Sequence, residues 1–390
     1  MAGAEAARAT DLRNPDIDLL RGLSILLVVL HHIGLRIPLT HGILAEYVPR
    51  FVLGALNYNG YEAVFMFFVI SGFLITRNTL RRYGSLGQMD ARDFYARRFA
   101  RIVPCLVVLL LVLSALHRLG VEGYVIHRAG QSLPRALSAA LGLHLNWYEG
   151  HYGYLPANWD VLWSLSIEEM FYLAFPIACL MIRRTSVLLV LLTVCALTLP
   201  WSHAALKDNE IWQEKAYLPG MAAIAIGVVG AMLADRWPLH GAWSRRAWRL
   251  AGGAGIVAVL FAGAWIWSLL RDGYLLMLTI SVMVLLVSSR GGHAQAWRGL
   301  RWLCSFGRLS YEIYLSHMFV VLTAVRVFHA YGSNMKWGVL WYAPTVFACW
   351  LLGLGVDRLL STPCERWLRF RLMKRPPSGL PIMPPHPASE

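Results

Sequence analysis

Apolar runs close to membrane-spanning length recur along this chain of 390 residues, at about 20–36, 62–77, 101–118, 162–182, 185–201, 216–234, 248–268, 273–289, 303–325 and 338–359. An α-helix needs about 20 apolar residues to cross hydrocarbon. Hydrocarbon offers no partner for a free backbone N–H or C=O, so each run must close its hydrogen bonds internally. The expected fold is therefore all-α, a polytopic membrane helix bundle of about ten transmembrane helices. Composition agrees: 57% of residues are hydrophobic and 15% charged, where a soluble domain carries about 25% charged residues. The 16 tryptophans and 16 tyrosines suit a chain whose amphipathic rings sit at the headgroup level.

The formal charge of +14 does not point to nucleic acid, because the basic residues stand in short clusters between the apolar runs, as in cytoplasmic membrane loops. The six cysteines mostly lie in or beside apolar segments without metal-type spacing, so neither a disulfide framework nor a metal site is expected. The stretch 134–147 is apolar but short, and is expected to be re-entrant or interfacial. An eleventh span there would send the Arg183/Arg184 pair and the later basic clusters outside, against the positive-inside rule. With ten spans, most of the Lys and Arg residues and both termini fall in the cytoplasm. Residues 1–15 and 371–390 are expected to be flexible, the latter for its prolines, and 16–370 to form one membrane domain. The outer segment 119–161 is rich in Tyr, Trp, His and Gly, a composition suited to binding polar organic groups and equally to an ordinary interfacial loop.

Ionisable groups inside spans are costly enough to be functional candidates. In the first run, "DLLRGLSILLVVLHHIG", Asp18, Arg21 and His32 share one helical face at about 100° per residue, while His31 points away. Arg21 and His32 are separated by a rise of roughly 16 Å. Imidazole can accept and return a proton near neutral pH, although a neutral structural histidine is the ordinary alternative. In "DFYARRFARIVPC", Arg98 and Arg101 are i, i+3 neighbours whose guanidiniums suit phosphate, and an anchoring role is the plainer reading. Arg77, Arg81 and Arg82 are assigned to topology. In "DVLWSLSIEEMFYLAFP", Glu168 and Glu169 stand in an apolar helix, so at least one must face a polar cavity. In "LSYEIYLSHMFVV", Ser310, Tyr314 and His317 align on one face, which polar helix-to-helix packing could also explain.

In this order the clusters resemble the acyltransferase-3 family of integral membrane acyltransferases. The resemblance runs from about Asp16 to Arg369, through "DLLRG…VVLHH", "FFVISGFLIT", "FYARRFARIVP", "LWSLSIEEMFYLAFP" and "GRLSYEIYLSH". It implies about ten helices and transfer of acyl groups, often acetyl, to hydroxyls. It matches His32 to the family's functional histidine, Arg21 to its arginine near the cytoplasmic end, Arg98 and Arg101 to an R-x-x-R pattern linked to the acyl donor, and Glu169 to the second acid of a W-S-L-x-x-E-E motif. Departures are Ala63, Val64 and Phe65 where Gly-Val-Asp is common, Met170 for glutamine, and Ser316 before His317 where tryptophan is common. The chain stops soon after the last span, so a stand-alone enzyme without an SGNH esterase domain is implied.

The expected activity is O-acyl transfer, with acetyl-CoA the expected donor and a hydroxyl of a surface glycan or lipid-linked sugar the acceptor, in the bacterial cytoplasmic membrane. His32 and Glu169 are the expected catalytic residues, with His32 acting as general base or as acyl carrier. Arg21, Arg98 and Arg101 would hold the donor, and His317, Tyr314 and Trp163 the substrate, with no metal. A small acceptor such as a macrolide is an alternative within the class. A proton-coupled transporter or flippase is the alternative from another class.

Overall fold

The computed structural model describes residues 14–289 and 298–373. Almost all of the expected flexible ends, 1–15 and 371–390, lies outside them. Every regular element among the described residues is helical, and nine helical stretches are long and apolar enough to cross a membrane. The run expected at 273–289 forms Gly273–Ser288, only 16 residues or about 24 Å. It is shorter than a span ordinarily requires, and it buries Leu275, Leu278, Val282 and Leu286 against its neighbours.

Local chemistry sets the helix ends that matter for function. Helix α1 (Pro15–Gly34) starts at Asn14, whose side chain accepts from the Asp16 amide, with Pro15 next and Asp16 and Asp18 in the first turn. Each of these features favours a helix N-terminus. Helices α2 (Arg50–Tyr58) and α3 (Gly60–Tyr83) follow. Helix α4 (Ala91–Arg118) is capped by Asp90, which accepts from the Arg92 and Asp93 amides, and it starts ten residues before the expected span. Arg98 and Arg101 therefore sit on an established helix.

The apolar stretch 134–147 becomes two short helices, α5 (Leu133–Leu141) and α6 (Leu145–Tyr152). The break falls where Leu143 adopts a positive φ of 58°, so the stretch does not form a single spanning helix. Helices α7 (Leu162–Met181), α8 (Thr185–Leu197), α9 (Leu199–Ala204), α10 (Glu210–Lys215), α11 (Tyr217–Arg236), α12 (Ala242–Leu270) and α13 (Gly273–Ser288) complete the middle of the chain. The run expected at 303–325 divides at Leu309 into α14 (Arg301–Arg308) and α15 (Ser310–Ala330). The last run is α16 (Tyr342–Val356), which continues through one π-helical turn into α17 (Thr362–Leu372).

Two close helix crossings hold the centre. Helices α3 and α11 meet where a Cβ on Gly72 would overlap the Ile224 carbonyl and one on Gly227 would overlap the Val69 carbonyl. Helices α1 and α14 meet the same way, Gly22 against the Leu303 carbonyl and Gly307 against that of Asp18. Small residues let backbones approach in a medium where apolar burial gives helices little reason to associate. The neighbours of two of these glycines, Ser71 and Arg21, line the central cavity.

Candidate active site

A cavity of about 710 Å³ opens at the end of the bundle that carries both ends of the described chain, with Asn14 and Arg369 in its wall. Its size falls within the roughly 300–1,000 Å³ of small-molecule sites. Eight arginines line it against three carboxylates, Asp18, Glu168 and Glu169. Arg21 donates to Ser310 Oγ at 2.8 Å, tying α1 to α15. The Arg98 guanidinium lies 3.6 Å from the centre of the Tyr172 ring. Tyr172 donates its hydroxyl to Glu168 Oε1 at 2.5 Å, and Ser71 donates to the same oxygen. Glu169 Oε1 is buried with no hydrogen-bond partner, and its charged neighbours are Arg98, Glu168 and Arg101. The two glutamates thus belong to the arginine-lined cavity.

Val64, Phe67, Leu315 and Tyr314 also line the cavity. The Tyr314 and Ser164 hydroxyls are hydrogen-bonded at 2.6 Å, and Tyr314 lies 3.1 Å from the Val161 carbonyl. Beyond it stands His317, whose ring centre is 6.0 Å from that of Tyr314. His317 is fully buried. Its Nδ1 lies 2.8 Å from the Tyr314 carbonyl and 3.1 Å from that of Ile313. Carbonyl oxygens only accept, so Nδ1 carries the proton and Nε2 the lone pair. That Nε2 is buried without a partner. The ring of His32 packs against that of His317, 5.0 Å between centres. His31 turns the other way: its Nδ1 donates to the Asn57 carbonyl at 3.0 Å, and its ring packs on Gly60.

The opposite end of the bundle is closed by charged and aromatic groups from the 119–161 segment. Lys215, 2% exposed, donates to Glu149 Oε2 at 2.8 Å and also pairs with Asp160. Burial pushes the Glu149 carboxyl well above its ordinary range, while Lys215 opposes that shift. Trp163 belongs to this group: its ring lies 6.0 Å from Lys215 Nζ and packs edge-on against Phe68. The loop before α7 is pinned by Gln131, which donates to the Tyr152, Gly153 and Tyr154 carbonyls. Among the described residues, no group of three or more His, Cys, Asp or Glu is placed to hold a metal ion.

Sequence comparison assigns this arrangement to a family. The family described as "Acyltransferase domain", acyltransferase 3, matches residues 14–354. The chain belongs to this acyltransferase family. Among curated relatives, YrhL of Bacillus subtilis (strain 168), provisionally named a peptidoglycan O-acetyltransferase, is 27% identical over 336 residues, covering 78% of this chain and 51% of that protein. The peptidoglycan O-acetyltransferase OatA of Listeria monocytogenes is 25% identical over 391 residues, covering 90% of this chain and 56% of its own length. The chain thus spans about half the length of these relatives. No solved structure matches it.

Of the residues singled out in the sequence of this family member, Arg21, Arg98, Arg101, Glu169 and Tyr314 line the cavity. His32 and His317 pair beyond its inner end, and Trp163 lies toward the opposite end. Arg77, Arg81 and Arg82, assigned from sequence to topology, line the cavity as well, as do Arg97, Ser71 and Arg369. One of these left a trace in the sequence, since Ser71 stands inside "FFVISGF"; so did Tyr172, which bonds Glu168 and is its i+4 neighbour. Arg369 left none, because its proximity to α4 depends on how the last helix folds back.

Proposed function

We propose that this protein transfers an acetyl group from acetyl-CoA to a hydroxyl of a cell-surface glycan, working in the bacterial cytoplasmic membrane. The observation that carries this reading is the alignment of an arginine-lined cavity with an imidazole pair just past its inner end. A polyanionic nucleotide fits the arginines, and its pantetheine arm would carry the thioester past Tyr314. The peptidoglycan O-acetyltransferases among its relatives support acetyl and glycan as the transferred group and the acceptor class. The Lys/Arg distribution supports a cytoplasmic cavity mouth, with the acceptor approaching through the 119–161 end.

In this mechanism His32 is the general base. It takes the proton of the acceptor hydroxyl, the oxygen bonds to the thioester carbonyl carbon, the C–S bond breaks, and the departing thiolate receives the proton. His317 acts through His32: its ring packs against that of His32 at 5.0 Å between centres and holds it so that one His32 nitrogen is open to the hydroxyl, an orienting effect of one ring on the other. Glu169 holds Arg98 and Arg101 in place for the donor. The test is turnover of radiolabelled acetyl-CoA by purified protein supplied with soluble glycan fragments. Ester-linked label on the glycan, lost in His32→Ala at normal protein level, is expected. Full activity of that variant overturns the reading.

A further inference from the structure

The arginines of the cavity fall into two groups by depth. Arg98 lies against Tyr172 and the glutamates, whereas Arg82, Arg97 and Arg369 stand at the mouth with side chains 45%, 26% and 40% exposed. Arg369 comes from α17, past the last residue of the family match, and α17 packs along α4. It forms an ion pair with Glu365, one turn back on the same helix. Around it stand three like charges, Arg97, Arg101 and Arg82. Asp93 is shared by Arg97 at 2.9 Å, Arg82 at 3.3 Å and the Tyr83 hydroxyl at 2.5 Å. The three outer guanidiniums of Arg82, Arg97 and Arg369 therefore face two carboxylates, Asp93 and Glu365, with Arg101 as a further like charge, and Arg369 Nε is buried with no hydrogen-bond partner. Like charges packed this closely repel, and a dianion between them removes the repulsion and supplies the absent acceptor.

We propose that Arg369, with Arg97 and Arg82, forms a phosphomonoester subsite separate from the Arg98/Arg101 pair. This rests on the acyl-CoA reading. A donor whose acyl end lies deepest presents its diphosphate next and its ribose 3′-phosphate last, so the deeper pair meets the diphosphate and the outer group meets the terminal phosphate. A lipid headgroup phosphate has the same chemistry and could reach the same mouth.

The experiment compares acetyl-CoA with acetyl-dephospho-CoA, which lacks only the 3′-phosphate, using protein purified in uncharged detergent. A charge-assisted hydrogen bond is worth about 1.5–3 kcal/mol, so wild-type kcat/KM should favour acetyl-CoA by about tenfold or more. Arg369→Gln should bring that ratio toward one by lowering acetyl-CoA turnover, and Arg369→Lys should fall between. Should Arg369→Gln fail to fold, Arg82→Gln makes the same comparison. An equal loss with both donors, as a lipid-phosphate or purely structural role requires, overturns the proposal, as does a wild-type enzyme indifferent to the 3′-phosphate. Absence of turnover with either donor overturns the acyl-CoA reading itself.

Discussion

The rings of His32 and His317 lie 5.0 Å apart, brought together from the first and ninth apolar runs of the chain. The backbone carbonyls on His317 Nδ1 leave its Nε2 able only to accept. His32→Ala should reduce kcat by about 10²–10⁴-fold, the usual contribution of a positioned base. His317→Gln should reduce kcat by about 10–100-fold, as when a group orienting a functional imidazole is removed. The KM for acetyl-CoA should stay near wild type in both. Steady-state kinetics check this, and a loss confined to KM would count against the pairing.

His31 is bonded to the Asn57 carbonyl and packed on Gly60, so its role is to join α1 to the α2–α3 corner. His31→Ala should lower stability by about 1 kcal/mol while kcat stays within about twofold of wild type. Thermal unfolding in detergent, read beside turnover, separates the two effects.

Removing Arg98 should act on donor binding. Its guanidinium lies over Tyr172 and among the glutamates of the cavity, away from the imidazoles. Arg98→Ala is expected to raise the acetyl-CoA KM by about tenfold or more, on the order of one charge-assisted bond. Titration of rate against donor concentration tests it.

Lys215 is the cation of a buried cluster with Glu149 and Asp160. Lys215→Met should destabilise the protein by about 3–5 kcal/mol, because a buried carboxylate is left uncompensated. The deficit has a defined pH dependence. Burial raises the Glu149 carboxyl, and without Lys215 that upward push acts with less opposition. A carboxyl raised in the folded state favours folding below its unfolded value of about 4.3, and the advantage is lost as pH rises through the folded value. The variant should therefore fall furthest behind wild type at neutral pH and above, measurable as the difference in melting temperature across a pH series. Glu149→Leu in the same chain should recover part of the loss.

The α3–α11 crossing leaves no room for a side chain at Gly72. Gly72→Ala should cost about 1–3 kcal/mol by overpacking, and because Ser71 is the adjacent residue it should also shift donor KM. Melting temperature and donor titration read the two consequences.

Much of the candidate site was legible before the fold. The helical face shared by Arg21 and His32 holds: Arg21 reaches Ser310 and His32 meets His317. The stripe of Ser310, Tyr314 and His317 also holds, since all three face α1, α7 or the cavity. Helical periodicity carries such information because it fixes which side chains share a direction. It carries none about position across the bundle. Glu169 read as a catalytic residue, and which charges surround it, Arg98, Glu168 and Arg101, emerges only from the fold. Arg77 and Arg82 read as anchors, and stand in the wall of the cavity. A positive charge beside a span satisfies the charge rule whether it meets water or a ligand, so sequence alone cannot separate the two.

The sequence by itself determined that the chain is a membrane helix bundle, because hydrocarbon forces each apolar run to satisfy its own backbone. It also separated His31 from His32, through a rotation of 100° per residue. Only the tertiary structure decided that His317 is the imidazole packed against His32, that Tyr314 bonds Ser164 in the cavity wall, and that Arg369 returns to the same cavity. Those are contacts between helices. They depend on which glycines allow two backbones to touch and at what angle, and no local pattern encodes that.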